Sequence, residues 1–110
     1  MGAMTMVSKV KAPNFLHVIL NNGAHESVGG QPSAGHLLDW TAIASACGYE
    51  TVGHPATNKE ELIEAIEQLK DCGCASFIDC RIHKGLARKL PPIIFDHREA
   101  IDALIDDLNR

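Results

Sequence analysis

Two adjacent asparagines, Asn21 and Asn22, close an apolar run and open a polar, glycine-rich one that carries Gly23, His25, Glu26, Ser27, Gly29, Gly30 and Gln31. An asparagine side-chain carbonyl is a neutral oxygen donor, the kind of ligand a hard cation such as magnesium takes beside phosphate oxygens and water. In a turn just after a strand, one such side chain and a main-chain carbonyl two residues on can reach the same ion. Gly23, Gly29 and Gly30 have no Cβ and would let backbone amides approach a diphosphate closely. The same Asn-Asn-Gly triplet is also an ordinary turn, and that is the commoner use of it.

The element that must present this segment is the run before it, Phe15-Leu16-His17-Val18-Ile19-Leu20. Nearly continuous apolar character over so short a stretch predicts a strand covered on both faces. His17 interrupts the run and reads as a hydrogen-bonded core residue rather than a ligand. In open α/β sheets ligands bind outside the carboxyl ends of parallel strands, where loops turn side chains and amides toward a guest. Function is therefore expected between Asn21 and Gln31.

With 110 residues the chain has room for one core and one domain. Its 10 Lys and Arg are scattered among 14 Asp and Glu, which leaves no clustered basic face for nucleic acid. No apolar run is long enough to span a membrane, and the first ten residues lack the charged start and cleavage site of a signal peptide, so a cytoplasmic location is expected by default. Cys72-Gly73-Cys74 is not a Cys-x-x-Cys pair and no second pair completes a zinc site. Cys47 and Cys80 fall in a predicted helix and strand, where free cysteine behaves as a small buried apolar residue.

In chain order, residues 2–10 predict a helix with Lys9 and Lys11 near its carboxyl end, and Pro13-Asn14 turns the chain out of it. A second helix is expected over 39–47, with Leu38, Ala42, Ile43 and Ala46 at helical spacing, Asp39 or Thr41 as cap, and Gly48 as a left-handed stop. Residues 49–53 predict a short strand near a sheet edge because Pro55 follows at once. The strongest helix signal covers 57–70: Thr57 and Asn58 offer a cap, Glu60 and Glu61 acids in the first turn, and Leu62, Ile63, Ile66 and Leu69 one stripe. After the break at 71–73 come a strand over 75–82, with Phe77, Ile78 and Ile82 toward the core, a loop over 84–92, and a closing amphipathic helix over 96–108 whose apolar side is Ile101, Leu104, Ile105 and Leu108. Strands separated by helices signify parallel pairing through right-handed crossovers. The expected architecture is thus α/β, a three-layer sandwich around a short parallel sheet of three strands. The chain opens within a helix that no cap precedes, which suggests that a strand and loop before it have been left off. No Gly-x-Gly-x-x-Gly or Walker loop follows any strand, which disfavours a nucleotide-binding reading.

Asn21-Asn22-Gly23 at the end of an apolar strand resembles the distal half of the thiamine diphosphate motif, in which a Gly-Asp-Gly is followed further on by an Asn-Asn pair. The longer run from Asn21 to Pro32, Asn-Asn-Gly-Ala-His-Glu-Ser-Val-Gly-Gly-Gln-Pro, with Ile43-Ala44-Ser45-Ala46-Cys47-Gly48-Tyr49 after it, resembles phosphonopyruvate decarboxylase and its sulfopyruvate-using relatives. Gly29-Gly30-Gln31-Pro32 is its most specific part. The resemblance implies that residues 1–110 form the carboxyl-terminal, Rossmann-like diphosphate-binding domain of a thiamine diphosphate enzyme, incomplete because the preceding strand and its Gly-Asp-Gly loop are not among them.

Carried over by position, the resemblance makes Asn22 the side-chain ligand of Mg2+ and Ala24 its main-chain carbonyl ligand, with Asn21 supporting the turn. His25, Glu26 and Ser27 would lie beside the diphosphate of thiamine diphosphate or at the mouth of the reaction site, and His25 would be the first candidate for contact with substrate, unless His25 and Glu26 merely pair within the loop. Gly29 and Gly30 would serve backbone shape. The implied reaction is decarboxylation of a 2-oxo acid, foremost phosphonopyruvate to phosphonoacetaldehyde and carbon dioxide. Its acid for the aminopyrimidine would come from a separate pyrimidine-binding domain or subunit, in a homo-oligomer; alone, this chain is expected to be inactive. Two departures stand out: the aspartate of Gly-Asp-Gly is absent, and Leu90-Pro91-Pro92 replaces the family's glycine-arginine-proline step, so a substrate role for Arg88 or Lys89 is not supported. The alternative of another class is a non-catalytic assembly or binding module of a two-part enzyme.

Overall fold

Strand β5 (Ser76–Arg81) is the axis of the domain, flanked in parallel by β1 (Leu16–Asn21) on one side and β4 (Glu50–Thr51) on the other. The computed structural model describes residues 2–10, 12–85 and 96–109. Its remaining helices are α1 (Gly2–Val10), α2 (Trp40–Ala46), α3 (Lys59–Leu69) and α4 (His97–Leu108). β1 runs in register with β5 from Leu16 opposite Ser76 to Asn21 opposite Arg81. The parallel α/β sandwich expected from the sequence is what the chain adopts, with β4 at an edge as the following proline suggested. A bridge between Ala56 and Cys80 continues that edge beyond Pro55.

The layering follows from the strand order. The chain passes from β1 through α2 to β4, then back through α3 to the vacant middle position. Two crossovers of one hand that run in opposite directions across a sheet put their helices on opposite faces. One face accordingly packs Met4, Val7, Ile43, Ala44, Tyr49 and Phe77 together. The other packs Leu16, Val18, Ala65, Leu69 and Ile78. Phe77 and Ile78, successive residues on opposite faces of β5, are each 1% exposed, and burial of such side chains stabilises by about 1.5–3 kcal/mol apiece.

Local chemistry sets the helix ends. Asp39, not Thr41, caps α2, its carboxylate accepting from the Ala42 amide at 2.9 Å, and Gly48 adopts φ +89° just beyond the last turn. Asn58 caps α3 by accepting from the Glu61 amide at 2.9 Å, while the Glu61 carboxylate accepts from both the amide and the hydroxyl of Thr57 at 2.7 and 2.8 Å. Those Thr57 bonds, the backbone one first, hold the Glu61 carboxyl below its ordinary range.

Several expected positions shift. β1 starts one residue later and includes Asn21, and β4 is two residues long because its neighbours turn away at Gly53, φ +84°. On α2 the inward face is Trp40, Ile43, Ala44 and Cys47, while Leu38, Ala42 and Ala46 are exposed. On α3, Ala65 takes the inward place predicted for Ile63, which is half exposed. Ile82 lies beyond the strand and is partly exposed. α4 forms with Asp96 as its cap, yet Ile101, Leu104, Ile105 and Leu108 all face outward. Lys11 and most of the expected loop over 84–92, with Arg88, Lys89 and Leu90-Pro91-Pro92, lie outside the described residues. Among the described residues no helix is long and apolar enough to cross a membrane.

His17 is in the core as expected, edge-on to Phe77 with ring centroids 5.2 Å apart, but its Nδ1 has no hydrogen-bond partner among the described residues; the buried Tyr49 hydroxyl, in the same aromatic cluster, has none either. Burial raises the Tyr49 phenol above its usual value, with the neighbouring Cys47 thiol adding to the effect. A buried hydroxyl without a partner opposes folding, so Tyr49→Phe is expected to leave the thermal midpoint unchanged or higher; a fall of several degrees would show that the hydroxyl is bonded in solution. For Glu61 the sign is the ordinary carboxylate one: its contribution is present above the unfolded value and lost as pH falls through the lowered folded value. Glu61→Gln should therefore lower the midpoint at neutral pH, and the difference should vanish in acid.

Candidate functional site

At the carboxyl end of β1 the two asparagines do different work. The Asn21 side chain, 8% exposed, points to the same face as His17 and Ile19 and lies under the loop. Its Nδ2 donates to the Gly35 carbonyl at 2.8 Å and to Asp79 Oδ1 at 3.3 Å, and its Oδ1 accepts from the Gly23 amide at 3.2 Å. Asn22 faces the loop itself. Its Oδ1 accepts from the Ala24 amide at 3.0 Å, and its Nδ2 donates to Glu26 Oε2 at 2.6 Å.

The glycine-rich segment is more ordered than a loop. β2 (Ala24–His25) and β3 (Gln31–Pro32) form a two-stranded antiparallel ribbon, with a single 3₁₀ turn at Glu26–Val28 and left-handed glycines at 29 and 30. The Gly30 amide donates to the His25 carbonyl and the Ser33 amide to that of Gly23. A second 3₁₀ turn, Ala34–His36, tucks beneath, with Ser33 accepting from the Gly35 amide. Trp40 Nε1 also donates to the Gly35 carbonyl, at 2.9 Å. Two glycines are fixed by contact. A Cβ on Gly23 would stand 2.6 Å from the His36 ring, and one on Gly35 would overlap the Asn21 carboxamide.

The ribbon places the expected residues unequally. Asn22 and Ala24 are half-buried and adjacent, while His25 and Ser27 are exposed on the outer rim. Ala24 faces Pro32 as a pair that exchanges no hydrogen bonds, the ribbon's bonds falling at Gly23–Ser33 and His25–Gly30 on either side, so the Ala24 amide and carbonyl point away from β3 and the amide meets Asn22 Oδ1. His25 and Glu26 do not pair with each other as the simplest loop reading supposed. Glu26 instead holds Asn22 with one carboxylate oxygen and accepts from the Gly85 amide with the other, and Lys84 Nζ donates to the Gly30 carbonyl at 3.3 Å. The segment after β5 is thereby clasped to the segment after β1.

Sequence reasoning missed Glu26 as the residue that orients Asn22, and it missed the acid beneath. Asp79 is 2% exposed and is met by Asn21 on one oxygen and Arg81 Nε, at 3.8 Å, on the other. Beside it a hollow of about 290 Å³ is bounded by His36, Asp39, His54, Asp79 and Arg81. The signal available was position: both residues end the central strand, on the edge where ligands bind. Among the described residues no cluster of three or more His, Cys, Asp or Glu is arranged to hold a metal ion. A cation here would meet the neutral oxygens of Asn22 and Ala24, each of which keeps a lone pair for it.

No family model matches the chain. Over 66 residues it is 36% identical to the phosphonopyruvate decarboxylases of Streptomyces viridochromogenes and Streptomyces hygroscopicus, a match covering 60% of this chain and 16% of either relative. Over 67 residues it is 30% identical to the subunit beta of sulfopyruvate decarboxylase from Methanococcus maripaludis, covering 61% of this chain and 35% of the relative. The resemblance read from the Asn21–Pro32 run is thus borne out by relatives of both kinds, and the chain spans well under half the length of each.

The division of labour between the asparagines is testable by denaturation. Asn21→Ala takes away the donor to the buried Asp79 Oδ1, while the Gly35 carbonyl keeps Trp40, and is expected to cost about 1–3 kcal/mol. Asn22→Ala removes a rim interaction and should cost under about 0.5 kcal/mol. Urea unfolding followed by circular dichroism measures both; equal costs would contradict the assignment.

Proposed function

We propose that this chain is the diphosphate- and Mg2+-binding part of a thiamine diphosphate-dependent 2-oxo acid decarboxylase, with phosphonopyruvate as the foremost substrate. The observation that carries the reading is the pairing of one half-buried side-chain oxygen, from Asn22, with the main-chain carbonyl of Ala24, a residue whose amide and carbonyl point away from the other ribbon strand and whose amide donates to that same Asn22 oxygen. The similarity to phosphonopyruvate and sulfopyruvate decarboxylases supports it independently.

In this reading Asn22 Oδ1 and the Ala24 carbonyl would be two of the oxygen ligands that hold Mg2+ for the cofactor diphosphate. Glu26 acts through Asn22: its carboxylate accepts a hydrogen bond from Nδ2, which fixes the sense of the carboxamide and keeps the oxygen on the Ala24 side, where the ion would sit. His25 and Ser27, exposed on the rim, would be the residues to meet the diphosphate, with His25 the one to meet the substrate. The bound cofactor supplies the electron sink for loss of carbon dioxide. The chain contributes binding and orientation, not the proton relay, which falls to a pyrimidine-binding domain or subunit; the relative from Methanococcus is itself a subunit beta. Two neutral oxygens are a weak set for an ion that dehydrates reluctantly, so the anionic ligand comes from outside these 110 residues.

A second reading, an assembly module without cofactor, draws on the outward apolar side of α4 and on β1, whose outer edge has no strand beside it among the described residues and whose Leu20 is 67% exposed. Calorimetry with thiamine diphosphate and Mg2+ separates the two. Heat is expected only when a pyrimidine-binding partner from a phosphonopyruvate decarboxylase is present, and Asn22→Ala should weaken that binding about tenfold or more. Binding under neither condition would leave the assembly reading standing. Turnover of phosphonopyruvate by this chain without a partner would refute the assignment of the proton relay to another subunit.

A further inference from the structure

Cys72 and Cys74 sit in the turn that joins α3 to β5, at the amino end of the sheet, roughly 17 Å of strand away from the site just described. Their sulfurs are 3.0 Å apart, with the Cys74 thiol donating to Cys72. Only one residue separates them, and it is Gly73 in the left-handed conformation, φ +69°, with nothing near where a Cβ would be. That backbone turns both thiols to the same side. Cys72 is exposed and Cys74 half-buried, whereas Cys80 is buried in the sheet and Cys47 is part of the packing under α2. We propose that Cys72 and Cys74 form a thiol–disulfide exchange site that takes small, solvent-borne disulfides, with Cys72 as the attacking thiol and Cys74 as the resolving one.

The geometry assigns the two roles. Cys72 is the sulfur a reagent can reach, and it receives a hydrogen bond from its neighbour that favours its thiolate. That bond, followed by a backbone hydrogen bond at Cys74, lowers the Cys72 thiol below its usual value, while the same shared proton and partial burial push Cys74 up to about 11. A thiolate is the nucleophile in exchange. In the first step the Cys72 thiolate forms a bond to one sulfur of a disulfide R–S–S–R, the S–S bond breaks, and RS⁻ leaves. The mixed disulfide at Cys72 carries no charge, so the interaction that held the proton on Cys74 disappears and Cys74 ionises more readily. In the second step the Cys74 thiolate attacks Cys72 Sγ, the mixed disulfide breaks, and a second RS⁻ leaves. The protein dithiol loses two protons and two electrons, and the small disulfide is reduced to two thiols. Closure needs a sulfur–sulfur approach of about 1 Å from the present separation to the bonded length of roughly 2.05 Å.

The test uses the reduced full chain and excess glutathione disulfide near neutral pH, with acid quench, alkylation of remaining thiols, tryptic cleavage and mass spectrometry. Residues 71–81 form one peptide that also contains Cys80, so closure reads as a peptide with a single alkyl group, on Cys80, and two hydrogens fewer, reversed by dithiothreitol. Cys74→Ser should accumulate one glutathione on Cys72. Cys72→Ser should react about tenfold or more slowly, with circular dichroism confirming that each variant is folded. A wild-type peptide that stays reduced, or that carries glutathione without closing, overturns the proposal; so does a Cys72→Ser chain that reacts as fast as Cys74→Ser.

Discussion

The carboxyl end of this sheet depends on one buried carboxamide. Asn21 is the last residue of β1, and its side chain ties three separate segments: the central strand through Asp79, the 3₁₀ turn through the Gly35 carbonyl, and the first residue of the ribbon through the Gly23 amide. Its main chain adds a fourth tie, since its carbonyl accepts from the Ile82 amide at 3.0 Å. An amide suits this place because it both donates and accepts; an aspartate would set a second carboxylate against Asp79 with no proton to offer. Gly35 is required on the far side, because any side chain there would occupy the space of the carboxamide.

With that anchor in place, the ribbon above becomes a platform rather than a free loop. Gly23 lies too close to the His36 ring to carry a side chain, the ribbon is held by main-chain bonds on either side of Ala24–Pro32, and Glu26 reaches across to Gly85. Asn22 is then the one polar side chain at the strand end held by the rim instead of the core. Adjacent residues of the same type acquire opposite duties because the strand ends between them: Asn21, the last residue of β1, points to the packed face, and Asn22 opens the turn. A buried network fixes one, and a clasp between two loops orients the other.

What the sequence made legible is what local chemistry decides. The Thr57–Glu61 cap and the glycine after α2 each depend on residues within a few positions of one another and formed as read, whereas β1 formed one residue later than expected and at a sheet edge, with Leu20 exposed. The ribbon is not legible as strand because its strands are two residues long, too short for any alternation to register. The inward face of α2 was misread because small alanines fit the period on either side, and only contact with Met4, Tyr49 and Phe77 selects Ala44 over Ala42 and Ala46. Asp79 and Arg81 carry no spacing or motif that singles them out within an apolar strand. Their meaning comes from Asn21, 58 positions earlier in the chain than Asp79, and no local pattern carries a pairing at that separation.

The proposed ion site divides strength from direction. Magnesium affinity comes chiefly from anionic oxygens, and the oxygens this chain offers are neutral. Direction is what a side chain locked by Glu26 and a main-chain carbonyl on a pinned ribbon supply well, because neither can rotate away without breaking bonds the fold already makes. An ion gripped here would therefore be placed by this chain and held by the diphosphate together with a carboxylate from elsewhere. Such a site has little affinity until its parts are assembled, and the ion then stabilises the assembled state in proportion to how much more tightly that state binds it than the separate parts do. On this account cofactor binding and association are one equilibrium, and the rigidity of the Asn21 anchor is what lets the two be coupled.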